Sequence, residues 1–133
     1  MVKKMIWDNI IEDSLNIDDY TGFVYEVVEQ KTDKRYFGIK KFWKVVKYKP
    51  LKGRTNKRHI TKETDWKNYM TSSPVMQEKL KSDRKNYKMY IKKLCKSVTE
   101  MKAWEAYYQL EYYVNNEWHK LYNEVINLRL RIR

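Results

Sequence analysis

At 133 residues the chain has room for one hydrophobic core, and Lys plus Arg outnumber Asp plus Glu 29 to 17, giving a formal charge of +12. That balance makes a polyanion the natural partner, nucleic acid ahead of an anionic membrane surface. A single cysteine, Cys95, excludes an intrachain disulfide, and with only His59 and His119 beside it a Cys/His zinc site is excluded too, so any metal must be held by oxygen ligands.

No apolar run approaches the roughly 20 residues of a membrane span, and no secretion-signal stretch opens the chain, so the sequence reads as cytoplasmic or intracellular with no membrane contact. The charge is uneven. Residues 1–20 set Lys3 and Lys4 against Asp8, Glu12, Asp13, Asp18 and Asp19, which marks an acidic appendage to a domain spanning 21–133. From Lys40 to Lys62 there are ten basic residues and no acid: Lys40, Lys41, Lys44, Lys47, Lys49, Lys52, Arg54, Lys57, Arg58 and Lys62.

In chain order, Ile6, Ile10 and Ile11, with Trp7 beside them, have helical spacing and predict a short amphipathic helix. Phe23, Tyr25 and Val27 alternate with Val24, Glu26 and Val28, the period of a strand. Lys31–Lys34 is a polar turn, and Arg35–Ile39 reads as the returning strand. Over Lys40–Lys62 the pattern lapses around Pro50 and Gly53, so a long basic loop or a partly extended excursion is expected, inserted at 40–62. Trp66 and Tyr69 predict a helical turn after Asp65. Ser73 before Pro74 is a helix start, with Val75, Met76 and Leu80 as its apolar stripe.

Lys88–Cys95 alternates Met89 and Ile91 with Lys88, Tyr90 and Lys92, predicting a third strand. Ser97 with Glu100 fits a capping box opening a long helix over about 99–115, whose buried face is expected at Met101, Trp104, Tyr108 and Tyr112. The tail alternates Ile126, Leu128, Leu130 and Ile132 with Arg129, Arg131 and Arg133, a strand with one cationic face. The fold class is therefore α+β, with a small, mainly antiparallel sheet flanked by helices.

Two triplets carry the functional signal. Phe23-Val24-Tyr25, ten residues, then Tyr36-Phe37-Gly38 resembles the paired triplets that name the GIY-YIG nucleases, whose first two strands bring both tyrosines together. Phe23 stands where the family has glycine, Gly22 lies one residue earlier, and Phe37 replaces isoleucine. Trp104-Glu105-Ala106-Tyr107-Tyr108 looks like the family's helical segment with the metal-binding glutamate, and Leu121-Tyr122-Asn123 like its terminal asparagine segment. Trp66–Ser73 is similar to stretches in small phage-encoded members.

The resemblance implies a DNA endonuclease hydrolysing phosphodiesters with one Mg²⁺ or Mn²⁺ on Glu105, with Glu111 as the competitor if the helix is rotated. It implies Tyr25 as base or water-orienting group, its phenol lowered by Lys40 and Lys41, and Tyr36 as a positioning hydroxyl, with Asn123 as the site's terminal asparagine; by residue type alone Asn123 reads as a structural turn or cap. The family's arginine is missing from its usual place. Arg58 is the first substitute, then Arg54, with Lys41 standing in as a lysine.

DNA contact is expected from Lys40, Lys44, Lys47, Lys49, Lys52, Arg54, Lys57, His59 and Lys62, and from Arg129 and Arg131. His119 and Cys95 read as structural. One site cuts one strand at a time, so a double-strand break needs a homo-oligomer or successive nicks. The rival reading is a non-catalytic nucleic-acid binder on the same fold.

Overall fold

The structure, a computed structural model, describes residues 5–11, 14–56, 58–126 and 130. Strands β1 (Gly22–Glu29), β2 (Lys34–Lys41) and β5 (Tyr87–Cys95) form an antiparallel sheet in the order β2-β1-β5. Strands β3 (Trp43–Tyr48) and β4 (Arg58–Glu63) form a separate antiparallel ribbon. Helices α1 (Pro74–Ser82) and α2 (Val98–Val114) complete the α+β architecture.

β1 is central and buried on both faces. Phe23, Tyr25 and Val27 enter the larger core with Trp7, Phe42, Trp66, Met76, Leu80 and Met89. Val24 enters a smaller one with Cys95 and Met101 beneath α2. The larger core is knit by aromatic edges: Trp7 on Phe23 at 5.2 Å, Phe23 on Phe42 at 5.0 Å and Phe42 on Trp66 at 4.9 Å between ring centroids. Each such pair contributes about 0.5–1.5 kcal/mol beyond its buried area. Cys95 is fully buried, and burial pushes its thiol up to about 11.

Both helix starts form as their sequences predict. Ser73 Oγ accepts from Met76 N at 3.4 Å and Ser97 Oγ from Glu100 N at 3.1 Å. The reciprocal arm of the box falls on Lys96 N, which donates to Glu100 Oε2 at 3.4 Å. The turn after Asp65 is a single 3₁₀ turn at Trp66–Asn68.

Three sequence expectations are corrected. Residues 5–11 form no helix. They run beside β5, where Asp8 N and Oδ2 bond the carbonyl and amide of Met89 (both 2.7 Å), and the Asn9 amide brackets the backbone of Ile91 (2.8 and 3.0 Å). Trp7 donates from Nε1 to Trp66 O at 2.7 Å, so the segment expected as an appendage supplies a core residue.

Of the two forms expected for the basic stretch 40–62 the extended one is found, as a ribbon, because Val45, Val46, Tyr48, Ile60 and Thr61 are strand formers whose pattern is masked by interleaved lysines. Pro50 and Gly53 lie in its connection, with Gly53 at φ +83°. The buried residues of α2 are Met101, Ala106 and Gln109, while Trp104, Tyr108 and Tyr112 are only half-buried, Tyr108 and Tyr112 over Phe37 and Tyr112 also at Arg35. The alternating tail lies outside the described residues apart from Ile126 and Leu130.

Candidate active site

The two triplets face each other across the β1–β2 hairpin, with Tyr25 opposite Gly38 and Val27 opposite Tyr36. Tyr25 and Tyr36 lie on the same face, their ring centroids 6.3 Å apart. The register of β1 against β5 shifts between Val24 and Tyr25, an irregularity of the kind that re-aims side chains. Gly38 is the seat of the Tyr25 ring: a Cβ built there would overlap the Tyr25 hydroxyl and Cζ and lie 2.8 Å from Cε1. Gly22 serves α2 instead, since a Cβ there would lie 2.6 Å from the Met101 methyl.

Tyr25 is fully buried, and its hydroxyl shares a 3.0 Å hydrogen bond with Thr71 Oγ1. Burial drives its phenol far above the ordinary range, against the lowering effect of Thr71. The expected lowering by Lys40 and Lys41 is not seen. Lys40 bonds Asp65 at 2.9 Å with its ammonium 4.1 Å from the centroid of Tyr69, and Lys41 is exposed at the end of β2.

Tyr36 is half-buried; burial first, then the charge of Glu105, push its phenol up, while the hydroxyls of Thr71 and Ser72 pull it down. Thr71 thus acts on both phenols, hydrogen-bonded to that of Tyr25 and lowering that of Tyr36, and its Oγ1 also accepts from Ser73 N at 3.2 Å. Sequence reading missed Thr71 and Ser72. The signal was present in the run of three hydroxyls, Thr71-Ser72-Ser73, at the entry to α1.

A cleft of about 420 Å³ opens on Tyr36 and is lined by Phe37, Glu105, Gln109, Tyr122, Asn123 and Glu124 among others. Glu105 reaches it because it falls on the α2 stripe Met101–Glu105–Gln109, which has the spacing of one helix face. Burial alone raises its carboxyl above the usual range, and it makes no ion pair among the described residues. Glu111 is exposed, which removes it as the competitor.

Gln109 is 2 % exposed, and its Oε1 is buried without a hydrogen-bond partner among the described residues. Asn123 uses its amide on the backbone of Phe37, accepting from N and donating to O, both at 2.9 Å. It is a clamp on the edge of β2. Asn123→Ala is expected to cost about 1–3 kcal/mol of stability, measured by urea denaturation, because the buried backbone groups of Phe37 lose both partners.

The cleft therefore offers the half-buried carboxylate of Glu105, the exposed one of Glu124 at its margin and the Gln109 amide oxygen, and no cluster of three or more His, Cys, Asp or Glu suited to a metal occurs among the described residues. A hard cation that keeps most of its water and takes further oxygens from phosphate fits such a sparse donor set.

The expected arginines are elsewhere. Arg54 and Arg58 line a hollow at the ribbon tip, about 15–20 Å along the strands from its base at Trp43. Lys41 borders a different depression, with Lys40, Lys44 and Asp65. Arg35 is tied to Glu26 at 3.0 Å and Asp33 at 2.6 Å. No Lys or Arg lines the Glu105 cleft among the described residues. The cation that meets a lining ring is Lys79, 5.0 Å from the centroid of Tyr122, while Lys40 sits at Tyr69 outside the cleft.

Lys44 and Lys47 stand on β3, His59 and Lys62 on β4, and Lys49, Lys52 and Arg54 on the connection between them. Lys57, Arg129 and Arg131 lie outside the described residues, and His119 is exposed in a 3₁₀ turn. No described helix is long and apolar enough to cross a membrane.

No curated protein and no solved structure matches the chain. Residues 6–126 match the family model described as putative endonuclease segE, GIY-YIG domain, which begins just before the buried Trp7 and ends just past the Asn123 clamp. With the paired tyrosines, the glycine seat and the helical glutamate all inside that match, the chain belongs to the GIY-YIG nuclease family.

Proposed function

We propose that the protein is a divalent-metal-dependent DNA endonuclease whose active site is the cleft between Tyr36 and Glu105. The observation that carries this reading is a half-buried carboxylate that has no counter-ion among the described residues, beside an amide oxygen with no hydrogen-bond partner among them, facing a phenol from a β-strand. A buried charge left uncompensated is costly, and sites that retain one commonly use it.

Glu105 and the Gln109 carbonyl oxygen are the groups that would hold Mg²⁺ or Mn²⁺. Such an ion supplies charge stabilisation to the phosphoryl and leaving oxygens during hydrolysis. The chain's own residues supply position. Tyr36, raised by burial and by Glu105, stays protonated at neutral pH, so its hydroxyl donates to a phosphate oxygen or orients the attacking water. Tyr25 acts behind it, fixing Thr71 and through Thr71 the Tyr36 hydroxyl. Lys79, whose ammonium lies over the Tyr122 ring at the cleft, is the cation best placed to meet the scissile strand in place of the absent arginine. Arg58, Arg54 and Lys41 fall to DNA binding.

The test is conversion of supercoiled plasmid to nicked and linear forms with Mg²⁺ or Mn²⁺, abolished by chelation. Tight binding without cleavage under either ion favours the non-catalytic reading. In single-turnover cleavage, Tyr36→Phe is expected to lose about 10²-fold or more in rate. Tyr25→Phe is expected to lose less rate and about 1 kcal/mol of stability, from the Thr71 hydrogen bond. Equal rate losses with equal destabilisation would remove the distinction between the two phenols.

A further inference from the structure

The β3–β4 ribbon stands off the core. All of β4 is exposed, and in β3 only Trp43, Val46 and Tyr48 are half-covered. An isolated two-stranded ribbon is at best marginal in water, so this one is suited to being completed by a partner. Directly paired residues share a face, which puts Lys44 with Lys62, Val46 with Ile60 and Tyr48 with Arg58 on one side. That face holds three cations and no acid, and its opposed lysines repel each other.

We infer that this ribbon enters the major groove of duplex DNA with the Lys44, Val46, Tyr48, Arg58, Ile60 and Lys62 face toward the base edges. The inference rests on DNA as the substrate proposed above. A two-stranded ribbon fits a groove about 12 Å wide and not one about 6 Å wide. Single strands are the poorer match, because the one aromatic ring on the face is already flanked by the Arg58 guanidinium at 5.6 Å and the Lys62 ammonium at 5.0 Å from its centroid. Duplex RNA presents a deep, narrow major groove that excludes the ribbon.

The root of the same face leads toward the tyrosine pair. Lys44, with Lys40, acts on the Asp65 carboxyl, and Lys40 lies at Tyr69, which meets Tyr25 edge-on at 5.9 Å. A duplex gripped by the ribbon is thereby led toward the tyrosine pair. Val46 and Ile60, between the cations, supply apolar contact of the kind thymine methyls offer.

The experiment is fluorescence anisotropy of the full chain on a 30-base-pair mixed-sequence duplex without divalent metal, with methyl green as major-groove competitor and netropsin as minor-groove competitor. Methyl green is expected to displace the protein and netropsin to leave it bound. Arg58→Ala with Lys62→Ala is expected to weaken binding tenfold or more and to lower the slope of log affinity against log salt by about 2. Thr61→Ala, on the opposite face, is expected to change neither. Circular dichroism checks that these exposed substitutions leave the fold intact.

Displacement by netropsin but not methyl green, wild-type affinity in the double variant, or equal affinity for duplex RNA would overturn the inference. Plasmid nicking that survives any of those results leaves the endonuclease reading standing and removes only the ribbon. The expected competition pattern without nicking removes the endonuclease and keeps the ribbon.

Discussion

Glu105→Gln is expected to abolish metal-dependent nicking, with a rate loss of at least about 10³-fold, while raising the melting temperature of the metal-free protein. Both follow from one fact: burial pushes the Glu105 carboxyl above its ordinary range with no cation beside it in the described structure. The sign is that of an acid whose folded value is raised. Its contribution to stability is complete below the unfolded value and is lost as pH rises through the folded one. At neutral pH the ionised carboxylate therefore opposes folding, and the neutral amide relieves that.

Thermal scans from pH 4 to 8 check the sign, since the gap between variant and wild type should widen with pH. Added Mn²⁺ should raise the wild-type melting temperature and leave that of the variant unmoved. A variant that melts lower at every pH, or that still nicks, removes Glu105 from the site.

Gly38→Ala is expected to be the most damaging single methyl addition to the hairpin. The added carbon meets Tyr25 at the hydroxyl and at ring carbons, and the ring has nowhere to retreat: Trp7 lies 5.5 Å away, Tyr69 5.9 Å and Phe23 6.3 Å between centroids. Overpacking a fully buried position costs about 1–3 kcal/mol or more. Chemical denaturation should show that loss, and nicking should fall with it because the displaced ring drags Thr71 and Tyr36. Tyr25→Phe in the Gly38→Ala background should recover little, since ring carbons as well as the hydroxyl obstruct. Full recovery would mean that the hydroxyl alone sets the fit.

Much of the main sheet was legible. Phe23, Tyr25 and Val27 announce β1 by their period, and two Ser-led caps fix the starts of α1 and α2. The tyrosine pair was legible because hairpin register is set by turn length. What stayed hidden was long-range. Nothing near Trp7 says that it closes the core against Trp66, 59 positions later. Lysines interleaved along β3 and β4 disguised strand formers as loop. The cleft side of α2 could not be chosen from periodicity, since Trp104 and Tyr108 look more buried than Gln109 and are less so. Arg58 looked suitable by charge alone; only the extended ribbon reveals how far it stands from Glu105.

The clamps at the two margins of the sheet bear on assembly. Asp8 and Asn9 occupy Met89 and Ile91 on one side. Asn123 occupies Phe37 on the other, Tyr122 N bonds Arg35 O at 2.8 Å, and Thr64 Oγ1 bonds Lys41 O at 2.7 Å. Two copies have little free backbone along which to zip their sheets into one. Breaking both strands of a duplex would then rest on repeated visits by single molecules, or on pairing through side chains elsewhere.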